Sequence, residues 1–177
     1  MSAIPVVELS IATPDEMEAL GASVARQLRA GDLVTLNGEL GAGKTTLARG
    51  LGAELGVRGA VTSPTFVLAR THPRENGAPL VHVDAYRLGS ALELDDLDID
   101  YEQSIVVVEW GAGLLDGLTD DWLQFDIVRP VGALEPDPGH SRPRAAVDLD
   151  GPAARSVTVT GHGSRWKDLG WVGAPRD

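Results

Sequence analysis

Eight residues, Gly38-Glu39-Leu40-Gly41-Ala42-Gly43-Lys44-Thr45, stand between a short apolar run and a stretch with helical periodicity. Leu33–Leu36 before them reads as a buried strand. After them Leu47, Leu51 and Leu55 recur every fourth residue, so a helix from about Lys44 to Leu55 lays one face on a sheet. The octapeptide fits G-x-x-x-x-G-K-[ST] in the strand–loop–helix setting that gives this pattern its meaning. Backbone N–H groups converging on phosphate oxygens need conformations and close approaches that side chains would block. Gly38, Gly41 and Gly43 permit them. The helix N-terminus adds unpaired N–H groups and partial positive charge. The Lys44 ammonium can reach β- and γ-phosphates, and the Thr45 hydroxyl is a hard oxygen suited to Mg²⁺. Glu39, Leu40, Ala42 and, in the first helical turn, Thr46 complete the binding segment. The chain has thirteen arginines and two lysines, Lys44 and Lys167. A sequence that otherwise chooses arginine has lysine at the one site that needs a compact charge on a flexible stem.

The rest of the chain fits an α/β protein. Val6–Leu9 reads as a first strand. Thr13, Pro14 and Glu16 form a helix start with a Thr-x-x-Glu capping box. Met17, Leu20, Val24 and Leu28 then follow at helical spacing, and Gly31 is the expected stop. Phe66–Ala69 and Leu80–Val83 read as strands around a polar turn containing Pro73 and Gly77. Ser90 and Glu93 form a second capping box, opening an acidic helix. Ile105–Val108 is an uninterrupted β-branched run, as in strands buried on both faces. Leu123–Val128, Ala145–Leu149 and Val157–Thr160 are further strand candidates, and the Pro- and Gly-rich Pro130–Pro143 reads as a loop. Strands alternating with helices predict a P-loop NTPase-type three-layer sandwich with a mostly parallel central sheet. At 177 residues one domain is expected, over 1–160, with 161–177 a tail of no clear period.

Two strand ends carry acids. Leu80–Val83 is followed by Asp84, and Ile105–Val108 by Glu109. Ligands of open α/β sheets collect at the carboxyl ends of strands, so both acids are predicted near Thr45. One is expected to hold magnesium and the other to handle water, and spacing leaves open which does which. Two carboxylates ~4–5 Å apart repel by a few kcal/mol at an effective dielectric of about 20, so nucleotide binding should depend on Mg²⁺. In the segment Thr62-Ser63-Pro64-Thr65-Phe66, Thr65 is the candidate hydroxyl for sensing a γ-phosphate. Trp110 follows Glu109 and either stacks on a base or covers the sheet end. The four histidines, His72, His82, His140 and His162, lack metal-ligand spacing.

The formal charge is 15 − 26 = −11, which disfavours direct binding to DNA or RNA, where affinity comes largely from phosphate neutralisation. No run of eighteen apolar residues suggests a membrane span, and Met1–Leu9 lacks signal-peptide features. With no cysteine there are no disulfides and no thiolate metal sites. A cytoplasmic protein is expected.

Four blocks in order, GELGAGKTTLARG from Gly38, TSPTFVL from Thr62, HVDAYRL from His82 and VVVEWG from Val106, resemble the TsaE (YjeE-type) ATPases of bacteria. The resemblance spans Gly38–Gly111. It implies ATP and Mg²⁺ as cofactors, TsaD-like and TsaB-like protein partners, and an accessory role in forming threonylcarbamoyladenosine at position 37 of ANN-decoding tRNAs. The tRNA would be met only through those partners. Carried over by residue, it assigns Mg²⁺ to Thr45 and Glu109, hydrolysis to Asp84 with Lys44, a switch-like element to Ser63 and Thr65, and a place beside the nucleotide to Trp110. ATP rather than GTP rests on this resemblance and on the lack of an NKxD motif. Two features depart from the pattern. Gly111 stands where the family often has proline, and the family's C-terminal nucleotide-contacting arginine could be Arg142 or Arg144. The competing readings are a small-molecule kinase, with Pro130–Pro143 as its lid, and a nucleotide-gated binding module with negligible turnover.

Overall fold

The first helix starts where its cap residues require. In the computed structural model, which describes residues 3–64, 68–130 and 154–173, Thr13 caps helix α1 (Pro14–Ala25) and its hydroxyl accepts from the Glu16 N–H at 3.1 Å. The Glu16 carboxylate reaches back to the N–H of Ala12. The helix ends before the expected Gly31. The N–H groups of Gln27 and Leu28 bond three residues back instead of four, a tighter turn that still leaves Leu28 against the core. Beyond it, the Arg165 guanidinium binds the Gln27 carbonyl and the Asp32 carboxylate, so the Gln27 carbonyl is already taken from outside the helix.

Seven strands form one sheet: β1 (Val6–Ile11), β2 (Leu33–Gly38), β3 (Ala69–His72), β4 (Leu80–Asp84), β5 (Ile105–Glu109), β6 (Trp122–Val128) and β7 (Arg155–His162). Their order is β1-β7-β6-β2-β5-β4-β3. The central strands β6, β2, β5 and β4 are parallel, and β1, β7 and β3 pair antiparallel at the edges. The sheet is therefore mixed, with its parallel part in the middle. The expected strand at Phe66–Ala69 lies further on, because β3 begins at Ala69 to pair with Val83 across the hairpin. Phe66 itself, Ala145–Leu149 and most of Pro130–Pro143 lie outside the described residues.

Alternation along the strands divides the core in two. Val34, Leu36, Ile105 and Val107 face α1 and α2 (Lys44–Leu55), while Leu33, Val81, Val83, Val106 and Val108 face Leu94 of the short helix α3 (Ala91–Asp95) and the turns around Leu115. Leu47 and Leu51 of α2 are fully buried, worth about 1.5–3 kcal/mol each. The two long helices touch backbone to backbone: a Cβ at Gly50 would strike the Glu18 backbone, and one at Gly21 the Leu47 carbonyl. Residues beyond 160 complete β7 and then turn back, burying Trp166, Leu169 and Val172.

Candidate nucleotide and metal site

Strand β2 lies between β5 and β6, so its carboxyl end opens at the centre of the sheet edge. There the chain leaves through Gly38–Gly43 and enters α2. Gly43 is the cap residue of that helix at φ 118°, a conformation that L side chains rarely adopt, and a Cβ there would lie 3.2 Å from Met17 Cε. The loop and the neighbouring strand ends enclose a cleft of about 530 Å³, lined by Leu40, Gly41, Gly43–Thr46, Ser63, Asp84, Tyr86, Glu109 and Trp110.

Lys44 is buried at 5% exposure. Its ammonium donates to the carbonyls of Gly38 (2.7 Å) and Glu39 (3.0 Å) and stands 3.9 Å from the centre of the Trp110 ring. Burial pushes its pKa below the ordinary 10.5, and the charges of Glu109 and Asp84 pull it back up. Both acids thus lie close enough to act on this ammonium.

The acids are set side by side by register. In the parallel β4–β5 pair Asp84 is opposite Glu109 and His82 opposite Val107. Glu109 Oε1 accepts from the Thr45 hydroxyl at 3.1 Å and lies 2.8 Å from His82 Nε2. Asp84 Oδ1 accepts from the Tyr86 N–H at 3.0 Å. Tyr86 meets Trp110 edge-on, with ring centres 5.1 Å apart. Trp110 holds a left-handed backbone, φ 63°. The following Gly111 sits under Thr35 and Val108, where a Cβ would lie 3.0 Å from Thr35 Cγ2; that crowding is what glycine relieves in this chain.

A hydroxyl and a carboxylate in contact, with a second carboxylate on the next strand, are a fitting donor set for Mg²⁺. That ion takes hard oxygens, keeps several waters and leans on substrate phosphates instead of an all-protein cage.

Of the predicted residues, Leu40, Gly41 and Gly43–Thr46 line one cleft with Ser63, Asp84, Glu109 and Trp110, while Gly38 and Glu39 line a neighbouring pocket and Ala42 is buried. Thr65, Arg142 and Arg144 lie outside the described residues. Sequence reasoning missed three neighbours. His82 is two residues before Asp84 and so on the same strand face, a period-two signal that metal-ligand spacing hides. Tyr86 lies in the same block. Arg155 was not singled out, yet its Nε donates to the Ala42 carbonyl at 3.3 Å, and it shares a second cavity of about 70 Å³ with Thr13, Met17, Gly43 and Thr46. Nothing local in the sequence ties it to a loop more than a hundred residues earlier.

The family described as "Threonylcarbamoyl adenosine biosynthesis protein TsaE" matches residues 11–132. A tRNA threonylcarbamoyladenosine biosynthesis protein TsaE of Streptomyces coelicolor is 54% identical over 85% of this chain and 93% of its own length. One of Bacillus subtilis is 36% identical over 66% of this chain and 73% of its own. The crystal structure of Bacillus subtilis YdiB superposes with a TM-score of 0.68 at 27% identity, covering 94% of this chain and 93% of that one. The chain belongs to the TsaE family.

Proposed function

We propose that this TsaE-family chain is a Mg²⁺-dependent ATPase and an accessory subunit, with TsaB-like and TsaD-like partners, in forming threonylcarbamoyladenosine at position 37 of tRNAs that read ANN codons. The observation that carries the ATPase reading is the 3.1 Å contact between Thr45 and Glu109 at the foot of the loop, with Asp84 in register beside it. The pathway rests on family membership and on what the relatives' names say of them.

In this reading the N–H groups of Gly41 and Gly43–Thr46 and the Lys44 ammonium bind the phosphates, while the Ala42 N–H stays bonded to the Glu39 carbonyl. Thr45 and Glu109 would hold Mg²⁺, which would offset charge on the triphosphate. Asp84 has one oxygen engaged by the Tyr86 N–H. Its other oxygen accepts a hydrogen bond from the water that attacks the γ-phosphorus, so ADP and inorganic phosphate leave. Trp110 and Tyr86 wall the cleft against bulk water, and Arg155 steadies the loop through Ala42. A cytoplasmic place fits the proposed role in tRNA modification, and no helix among the described residues is long and apolar enough to cross a membrane. The net charge of −11 favours meeting tRNA through the partners.

The test measures phosphate release from ATP, with Mg²⁺ or EDTA, by the chain alone and with purified TsaB-like and TsaD-like proteins. Slow Mg²⁺-dependent release that rises with the partners is expected. Retention of intact ATP in all arms would replace the ATPase with a nucleotide-gated binding module.

A further inference from the structure

His82 is the most deeply buried polar side chain near the cleft, with no measurable exposure, and none of the roles assigned above uses it. It stands on β4 on the same face as Asp84, two rungs before the Asp84–Glu109 pair. Its Nε2 lies 2.8 Å from Glu109 Oε1, while its Nδ1 is buried and has no hydrogen-bond partner among the described residues. The contact with Glu109 settles which nitrogen donates. A carboxylate only accepts, so the His82 N–H that faces Glu109 is on Nε2.

Glu109 is itself buried at 2% exposure. Its Oε1 receives two donors, Thr45 and His82, and Oε2 receives none among the described residues. The two donors are not equivalent. Thr45 sits on the loop–helix junction, and its oxygen is the atom the metal reading calls on. His82 sits in the sheet, behind the carboxylate and out of reach of solvent. The His82 bond therefore holds Glu109 in place whatever the Thr45 hydroxyl is doing.

We propose that His82 is a positioning residue, a fixed Nε2–H donor that holds the Glu109 carboxylate in the orientation it needs beside Thr45 for Mg²⁺. This rests on the magnesium reading given above. Partners of this kind, which hydrogen-bond a ligating carboxylate from behind, carry about 10- to 100-fold in metal affinity.

Three measurements test it: nitrogen-15 NMR of the His82 ring, the Mg²⁺ concentration that half-saturates ATP binding, and ATP binding in excess EDTA. The wild-type ring should carry a proton on Nε2, and its signals should move in Glu109→Gln. His82→Phe keeps an aromatic ring without a donor. It should raise the half-saturating Mg²⁺ by about 10- to 100-fold and leave binding in EDTA unchanged. His82→Gln, which restores a donor, should recover most of the loss. A wild-type ring protonated on Nδ1 alone overturns the proposal, as does a folded His82→Phe protein with unchanged Mg²⁺ dependence, or His82→Gln as impaired as His82→Phe. Should His82→Phe not fold, the wild-type ring decides together with His82→Gln, whose half-saturating Mg²⁺ should stay within about threefold of wild type and overturns the proposal if it rises by about 10-fold or more. Wild-type ATP binding that ignores Mg²⁺ sinks the magnesium reading and this metal role with it, while the ring's tautomer still reports separately on the hydrogen bond to Glu109.

Discussion

Replacing Lys44 by methionine keeps the stem and removes the charge with its donors. In the folded protein the ammonium makes two charge-assisted hydrogen bonds, at 2.7 and 3.0 Å, and sits 3.9 Å from the Trp110 ring centre. Such bonds contribute about 1.5–3 kcal/mol each, and a desolvated cation–π contact about 2 kcal/mol. Taking the ammonium out of water costs several kcal/mol, and the lowered pKa of Lys44 records that cost. Gains and cost nearly cancel, so Lys44→Met should change stability by no more than about 2 kcal/mol. Binding has no such cancellation, because the cost of burying the charge is already met in the folded protein. Removing one partner of a buried, hydrogen-bonded charge pair costs about 2–5 kcal/mol, or roughly 30- to 5,000-fold in Kd for Mg·ATP. Calorimetric titration with Mg·ATP measures this, and AMP, which lacks the β- and γ-phosphates, is the control. An ATP affinity within about threefold of wild type (~0.7 kcal/mol) would refute the reasoning, as would equal losses for ATP and AMP. The pH dependence gives a second check. With the folded pKa below 10.5, the unfolded chain holds more protons between the two values. Wild-type stability therefore gains as pH rises through that interval, and Lys44→Met lacks this gain.

Asp84→Asn should spare ATP affinity more than phosphate release; equal losses in calorimetry and turnover would remove Asp84 from the hydrolytic step. Gly50→Ala drives a methyl into the Glu18 backbone and should cost about 1–3 kcal/mol, read as a melting temperature lower by about 2–4 °C per kcal/mol. An unchanged melt would contradict the close α1–α2 contact. His72 is held below its ordinary 6.5, first by burial and then by His82 and Arg70, against a backbone contact at Arg58 that raises it. The unfolded chain then binds the proton more tightly, so the stability present above pH 6.5 is lost as pH falls towards the folded value. Denaturant titrations across this range should show a shallower acid slope in His72→Leu, and an unaltered slope would exclude His72 as its source.

Much of the site was legible because its chemistry is local. The spacing of Gly38, Gly41, Gly43 and Lys44 encodes a strand, a tight loop and a helix start within one segment, and α2 spans the residues expected of it. Asp84 and Glu109 were found as strand-end acids, since a parallel sheet puts such ends on one edge. What sequence could not give was lateral register. That His82 lies beneath Glu109, or that Arg155 reaches Ala42, depends on which strands are neighbours and on how far each is slid. The antiparallel edges formed by β1, β7 and β3 were invisible for the same reason, because alternation within a strand says nothing about its direction. The early end of α1 was hidden because Leu28 keeps helical spacing through a tighter turn, and the side chain that claims the Gln27 carbonyl, Arg165, comes from the far end of the chain.

Trp110 shows what the cleft asks of its backbone. A non-glycine residue in the left-handed region, here at φ 63°, gives up about 1–2 kcal/mol. The ring placed by that backbone meets the Lys44 ammonium and the Tyr86 edge. Glycine at this position would relieve the backbone and forfeit both contacts. A desolvated cation–π contact is worth about 2 kcal/mol and an aromatic pair about 0.5–1.5 kcal/mol, so the two contacts together outweigh the backbone relief. The left-handed turn at Trp110 is therefore held in place by the same ring that walls the cleft.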